Sequence, residues 1–165
     1  MSPTAEHSVL DALLDSWDRN NTILLNLLRA IPEDAFELRP MENSPSIAGL
    51  FMHMHYCRLI FVRDDAPEAA QPVPDGEWRA ERDRARIARW LHDSAAAVRD
   101  AVRGRVARGQ PMEQHYDHPI LMLQHMIWHE GYHHGQIKLT LKLAGRPMND
   151  DDGSLVTWDL WMDKT

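Results

Sequence analysis

Between Val9 and Ala144 the apolar residues recur at three- and four-residue spacing, and no stretch alternates apolar and polar positions as a half-buried strand would. An all-α fold is the class this pattern allows. Prolines and glycines cut it into four pieces. The first runs from about Glu6 to Ile31, on Leu10, Leu13, Leu14, Trp17, Leu24, Leu27 and Leu28, and Pro32 stops it. Pro32, Pro40 and Pro45 mark a connection in which residues 32–36 make one helical turn. Ser46 is placed to cap a second helix, Ile47 to about Arg63, whose apolar residues cover most of its circumference. Such a helix is buried, so His53 and His55 belong in or beside the core. Residues 64–77, rich in Pro, Asp and Ala, read as a long crossing loop.

A third helix is expected over Trp78 to Ala107, with Ile87, Leu91, Ala95, Val98 and Val102 turned inward and Gly109 and Pro111 ending it. The fourth spans Pro119 to Ala144, with Gly145 as its C′ residue and Pro147 beyond. In the tail, acidic residues precede Gly153, but a calcium loop needs oxygen ligands at alternate positions and the first would be Met148. A solvated turn capping a short helix through Ser154 is expected instead, with Trp158 and Trp161 packing that helix onto the rest.

The chain has 165 residues, 44% of them apolar, enough for one core without a second domain. A single domain over residues 1–165 is expected: a four-helix bundle with one long crossover loop and a short C-terminal helix. The lone Cys57 allows no intramolecular disulfide, and the N-terminus has no secretory pattern, so a cytoplasmic location is expected. No window approaches the roughly 20 apolar residues of a membrane span. A net charge of −7 argues against nucleic acid as a partner. The local exception is Arg79 to Arg108, which holds nine of the fifteen arginines, interspersed with acidic residues. That pattern reads as a solvated helix face; the sharper reading is attraction of an acidic small molecule.

Ten histidines, five of them between His118 and His134, are the compositional anomaly. His125, His129 and His133 fall four residues apart on one helix face, so successive imidazoles lie about 6 Å apart and two of them suffice to chelate one ion. Imidazole suits Zn²⁺, Ni²⁺, Cu²⁺ and Fe²⁺. The same face carries Gln136 and Thr140, small polar groups placed to fix a ring tautomer or a bound water. A third ligand is sought on the buried second helix, where His53 is the candidate. His55 lies about 200° around that helix from it, and helical-wheel position does not choose between the two. His125 is expected beside the ligands without joining them. His7, His92, His115 and His118 read as surface or loop residues.

Two motifs carry a resemblance: Ser46 to His53 (SIAGLFMH), and His129 to Gln136 (HEGYHHGQ) followed by Gly145. The chain resembles the DinB/YfiT-like superfamily of helical-bundle metalloenzymes. The first motif resembles the family's serine-started helix whose histidine falls seven residues later, which selects His53. The second resembles its H-x-x-x-H-R-G-Q signature, which carries the ligand role onto His129 and His133; His134 stands where many relatives have arginine. The resemblance implies one divalent ion, zinc or nickel, on His53, His129 and His133. It also implies frequent homodimers and, in characterised relatives, thiol-dependent transferase or isomerase reactions on small molecules with low-molecular-weight thiols. The arginines of the third helix would receive the carboxylates of such a thiol.

Two other readings compete. His129-Glu130-Gly131-Tyr132-His133 fits the H-E-x-x-H pattern of zinc hydrolases, whose glutamate is a general base. The downstream third ligand and the substrate-binding strand of those enzymes are missing, and Glu130 is expected on the exposed side, paired with His134 one turn on. The other is a non-catalytic metal- or ligand-binding dimer, which a fourth ligand such as His125 or Cys57 closing the shell would favour.

Overall fold

The computed structural model describes residues 9–79 and 81–162, and every regular element among them is helical. The four long helices are α1 (Val9–Ala30), α2 (Ile47–Asp65), α3 (Arg84–Ala107) and α4 (Pro119–Leu143), followed by the short α5 (Asp150–Leu155) and α6 (Asp159–Met162). Turns of 3-10 helix occupy Glu33–Ala35 and Pro67–Ala69. The expected start of the first helix near Glu6, and His7, lie outside the described residues. No described helix is long and apolar enough to cross a membrane.

Local chemistry sets the ends. The Ser46 hydroxyl accepts from the Gly49 amide and so satisfies one orphan donor of α2. At the far end of α4, Gly145 has φ +71°, its amide reaches Lys142 and that of Arg146 reaches Leu141. This is a Schellman ending, which a side chain at Gly145 would strain. The third helix begins six residues later than the pattern predicts. Asp83 is its cap, accepting from the Arg86 amide. Trp78 therefore belongs to the connection, just after Gly76, whose φ of +90° turns the chain. The tail differs too. Ser154 lies inside α5 rather than at its cap, and Trp158 and Trp161 are 64% and 41% exposed instead of packed inward. Val156 is the tail's buried apolar residue.

Helix α3 packs on α1, α2 and α4, and α4 also meets α1 and α2. The predicted inward stripe of α3, from Ile87 to Val102, is buried throughout. The apolar interior is split in two. One cluster holds Leu24, Leu28, Phe51, Met54, Leu91 and Ile137, the other Leu14, Trp17, Leu59, Val62, Val98 and Met126. Along α1, α3 and α4, the residues between the two sets are polar and buried: Asn20 and Asn21, Ser94, and Glu130. On α2 the corresponding residue is Arg58, and His53 stands little more than one turn before it. A polar layer thus crosses the middle of the molecule, and α2 and α4 carry most of it.

Candidate metal centre

His53 of α2 meets His129 and His133 of α4 in this layer. The Nε2 atom of His129 is 3.1 Å from that of His53 and 3.0 Å from that of His133. His53 and His133 are 8% and 7% exposed, and His129 is half-buried. The outer nitrogens of two rings are tied down. Nδ1 of His53 is 2.8 Å from a carboxylate oxygen of Glu77, and Nδ1 of His133 is 2.7 Å from Oε1 of Gln136. A carboxylate and an amide oxygen only accept, so both Nδ1 atoms carry the proton and both Nε2 atoms present a lone pair. These two lone pairs face His129 Nε2, which has at most one hydrogen to offer. The buried Nδ1 of His129 has no partner.

The donor set fits a divalent cation. With Zn–N bonds of about 2.0–2.1 Å, tetrahedral coordination puts ligand nitrogens about 3.3 Å apart, close to the spacing found here. Burial lowers the pKa of all three rings. For His129 burial is reinforced by His133, His53, His125 and Arg58, and the value falls to about 3. For His53 burial and then His133 outweigh Glu77; for His133 burial outweighs Gln136 and Glu130. Neutral imidazole is the form that ligates a metal.

The surroundings divide the remaining sequence candidates. Gln136 touches His133 as expected. Thr140 spends its hydroxyl inside its own helix, donating to the Gln136 carbonyl rather than to a ring nitrogen. His125 is held aside, its Nδ1 2.6 Å from the Tyr116 hydroxyl and its ring 6.4 Å from that of His129. Burial, then Asp65 and Cys57, push the Tyr116 phenol up to about 12, so it stays protonated and donates to His125. Cys57 Sγ lies 3.6 Å from both nitrogens of His53. Burial, with Glu77 and Glu130 nearby, raises its thiol to about 12. His55 is buried against Trp90, away from the cluster, and His92 is exposed. His115 pairs with Asp65, and His118 caps α4.

Glu130 overturns its expected place. It is fully buried, with Oε1 2.5 Å from Arg58 Nε and Oε2 taking Arg58 Nη2 at 2.8 Å and Asn20 Nδ2 at 2.6 Å. The physical reason is helical phase. Met126, Glu130, His133 and Ile137 fall on the buried stripe of α4. His134 donates instead to the Val156 carbonyl. A glutamate fully buried and bound on both oxygens by Arg58 and Asn20 sits in an ion pair rather than free beside the histidines, which speaks against the general-base role of the hydrolase pattern. The arginines near α3 are also largely engaged: Arg82 with Glu37, Arg86 with Glu81, Arg105 and Arg108 with Glu68, and Arg99 with Asp18.

Two residues at the site were not singled out from sequence, Glu77 and Trp78. The Trp78 indole stacks on the His53 ring at 4.2 Å between centroids and 5° between planes. A lone tryptophan following Pro-Asp-Gly in a polar loop is the one signal the sequence offers for it. Among known proteins, the model of the DinB family matches residues 1–161. No curated protein and no solved structure matches the chain.

Proposed function

The chain belongs to the DinB family, and from that premise we propose that it is a metalloenzyme in which His53, His129 and His133 hold one divalent ion, zinc or nickel, for thiol-dependent S-transfer or isomerisation of a small molecule. The observation that carries the reading is the convergence of three Nε2 atoms within about one coordination sphere while two outer nitrogens are held by acceptors. When bound, such an ion lowers the pKa of a thiol and keeps the thiolate beside an electrophile. In the metal-free protein burial keeps the Cys57 thiol protonated, and the reading assigns the nucleophile elsewhere. The nucleophile comes from outside, as a low-molecular-weight thiol in a reducing cytoplasm. Glu77 and Trp78, 42% and 47% exposed, form the rim between the histidines and solvent.

The outer face of α4 supports a homodimer. Leu121, Trp128, Tyr132, Leu139 and Leu143 are all more than half exposed and share one stripe. Gly131 and Gly135 leave open space beside it for close approach of a second helix. Trp128→Lys is expected to convert a dimer to a monomer in light scattering; a wild type that is already monomeric removes the assembly from the reading.

Elemental analysis of protein prepared without an affinity tag or chelator tests the centre itself. About one equivalent of zinc or nickel, absent from the His53→Ala/His129→Ala double variant, is expected. A wild type that neither carries nor takes up a divalent ion ends the reading. With the ion established, conjugation of low-molecular-weight thiols to small electrophiles is the activity to screen.

A further inference from the structure

We infer that Glu77 and Trp78 are positioning residues for His53, so that the segment joining α2 to α3 sets how tightly the centre holds its ion. The inference rests on the metal reading above. The three ligands are not equally constrained. His129 and His133 stand one turn apart on a single helix, which fixes their separation, and His133 is oriented by Gln136 three residues on. His53 comes from a different helix, and no other residue of α2 settles which of its nitrogens faces the cluster. Cys57, its neighbour one turn on, lies equally far from both ring nitrogens and so does not choose between them.

The connecting segment makes the choice. The Glu77 carboxylate accepts from Nδ1 at 2.8 Å, which puts the proton there and leaves the Nε2 lone pair for the ion. Trp78 lies parallel to the ring at 4.2 Å and fixes its plane. Gly76, with φ +90°, turns the chain immediately before the pair. Further back, Glu68 anchors the segment to Arg105 at 2.7 Å. Because this coupling is reciprocal, an ion on His53 also holds the segment in place.

The test is zinc affinity, measured by competition with a chromophoric chelator, beside the melting temperature of the metal-free protein. Glu77→Ala and Trp78→Ala are each expected to weaken zinc binding by about tenfold or more without moving the metal-free melting temperature. Glu77→Gln, which keeps an oxygen acceptor, is expected to recover most of the affinity. Cys57→Ala is expected to leave it unchanged. Equal affinity of Glu77→Ala and wild type overturns the inference and leaves the metal reading standing, whereas a wild type that binds no zinc defeats the metal reading itself. Glu77→Gln as weak as Glu77→Ala overturns positioning in favour of direct ligation by the carboxylate. A loss in Cys57→Ala with none in His129→Ala overturns it by placing the ion among His53, Cys57 and Glu77, whose ligand atoms also lie within 4.8 Å of one another.

Discussion

Arg58 and His53 stand five residues apart on α2, both are buried, and each reaches across to α4, yet the two contacts are opposite in kind. Around Arg58 every strong group finds its complement. The guanidinium meets both oxygens of Glu130, Asn21 and the Leu91 carbonyl, and Asn20 completes the carboxylate. Around His53 the groups are alike: three imidazoles aim the same atom type at one point, where too few hydrogens stand between them. The first cluster is closed on itself; the second is complementary to a cation. Burial and position in the chain hardly distinguish them, so the teaching lies in donor and acceptor counts rather than in buried polarity as such.

The contrast can be broken at either cluster. The largest effect is expected from Glu130→Ala, which leaves a buried guanidinium without its counter-charge and should cost about 3–5 kcal/mol in chemical denaturation. The zinc content of the molecules that remain folded should be unchanged; a variant of wild-type stability but without zinc would assign Glu130 to the centre instead. Next comes zinc itself, which at a free concentration 100 times its Kd should stabilise the protein by about 2.7 kcal/mol and do nothing for His129→Ala. Gln136→Ala removes the acceptor behind His133 and should weaken zinc binding about tenfold, equivalent to about 1.4 kcal/mol, by chelator competition.

The smallest effect is the most gradual. The three clustered histidines have folded pKa values below the unfolded value of about 6.5, that of His129 at about 3. Below pH 6.5 the unfolded chain therefore binds more protons, and metal-free stability should be fully present above that pH and decline as pH falls toward 3. The same decline should be shallower in His129→Ala. Thermal melts at pH 7.5, 5.5 and 4.5 measure it.

Much of this was legible in the sequence. Pro32, Ser46, Gly109 and Gly145 punctuate the helices because each answers a local backbone need. The i, i+4 histidines point one way because a helix has a fixed pitch. The rest depends on what meets what. Glu130 was hidden by the H-E-x-x-H pattern, although an arginine in the apolar second helix already demanded a buried anion and the stripe through Met126 and Ile137 placed one there. Glu77 and Trp78 were hidden because an irregular connection has no period to betray which side chain turns inward. The start of α3 was misplaced because the charges from Arg79 to Asp83 suit an exposed helix as well as a loop. Only the Asp83 cap decides it.

The reach of Arg58 has a consequence for how the chain assembles. From α2 it contacts Asn21 on α1, Leu91 and Ser94 on α3, and Glu130 on α4. A collapsed form missing any one of these helices would hold a cation in an apolar interior with part of its solvation lost and unreplaced. Partial assemblies thereby lose stability relative to the finished fold. The four long helices are therefore expected to come together in one cooperative transition, with a fragment lacking any of them failing to show a folded baseline in chemical denaturation.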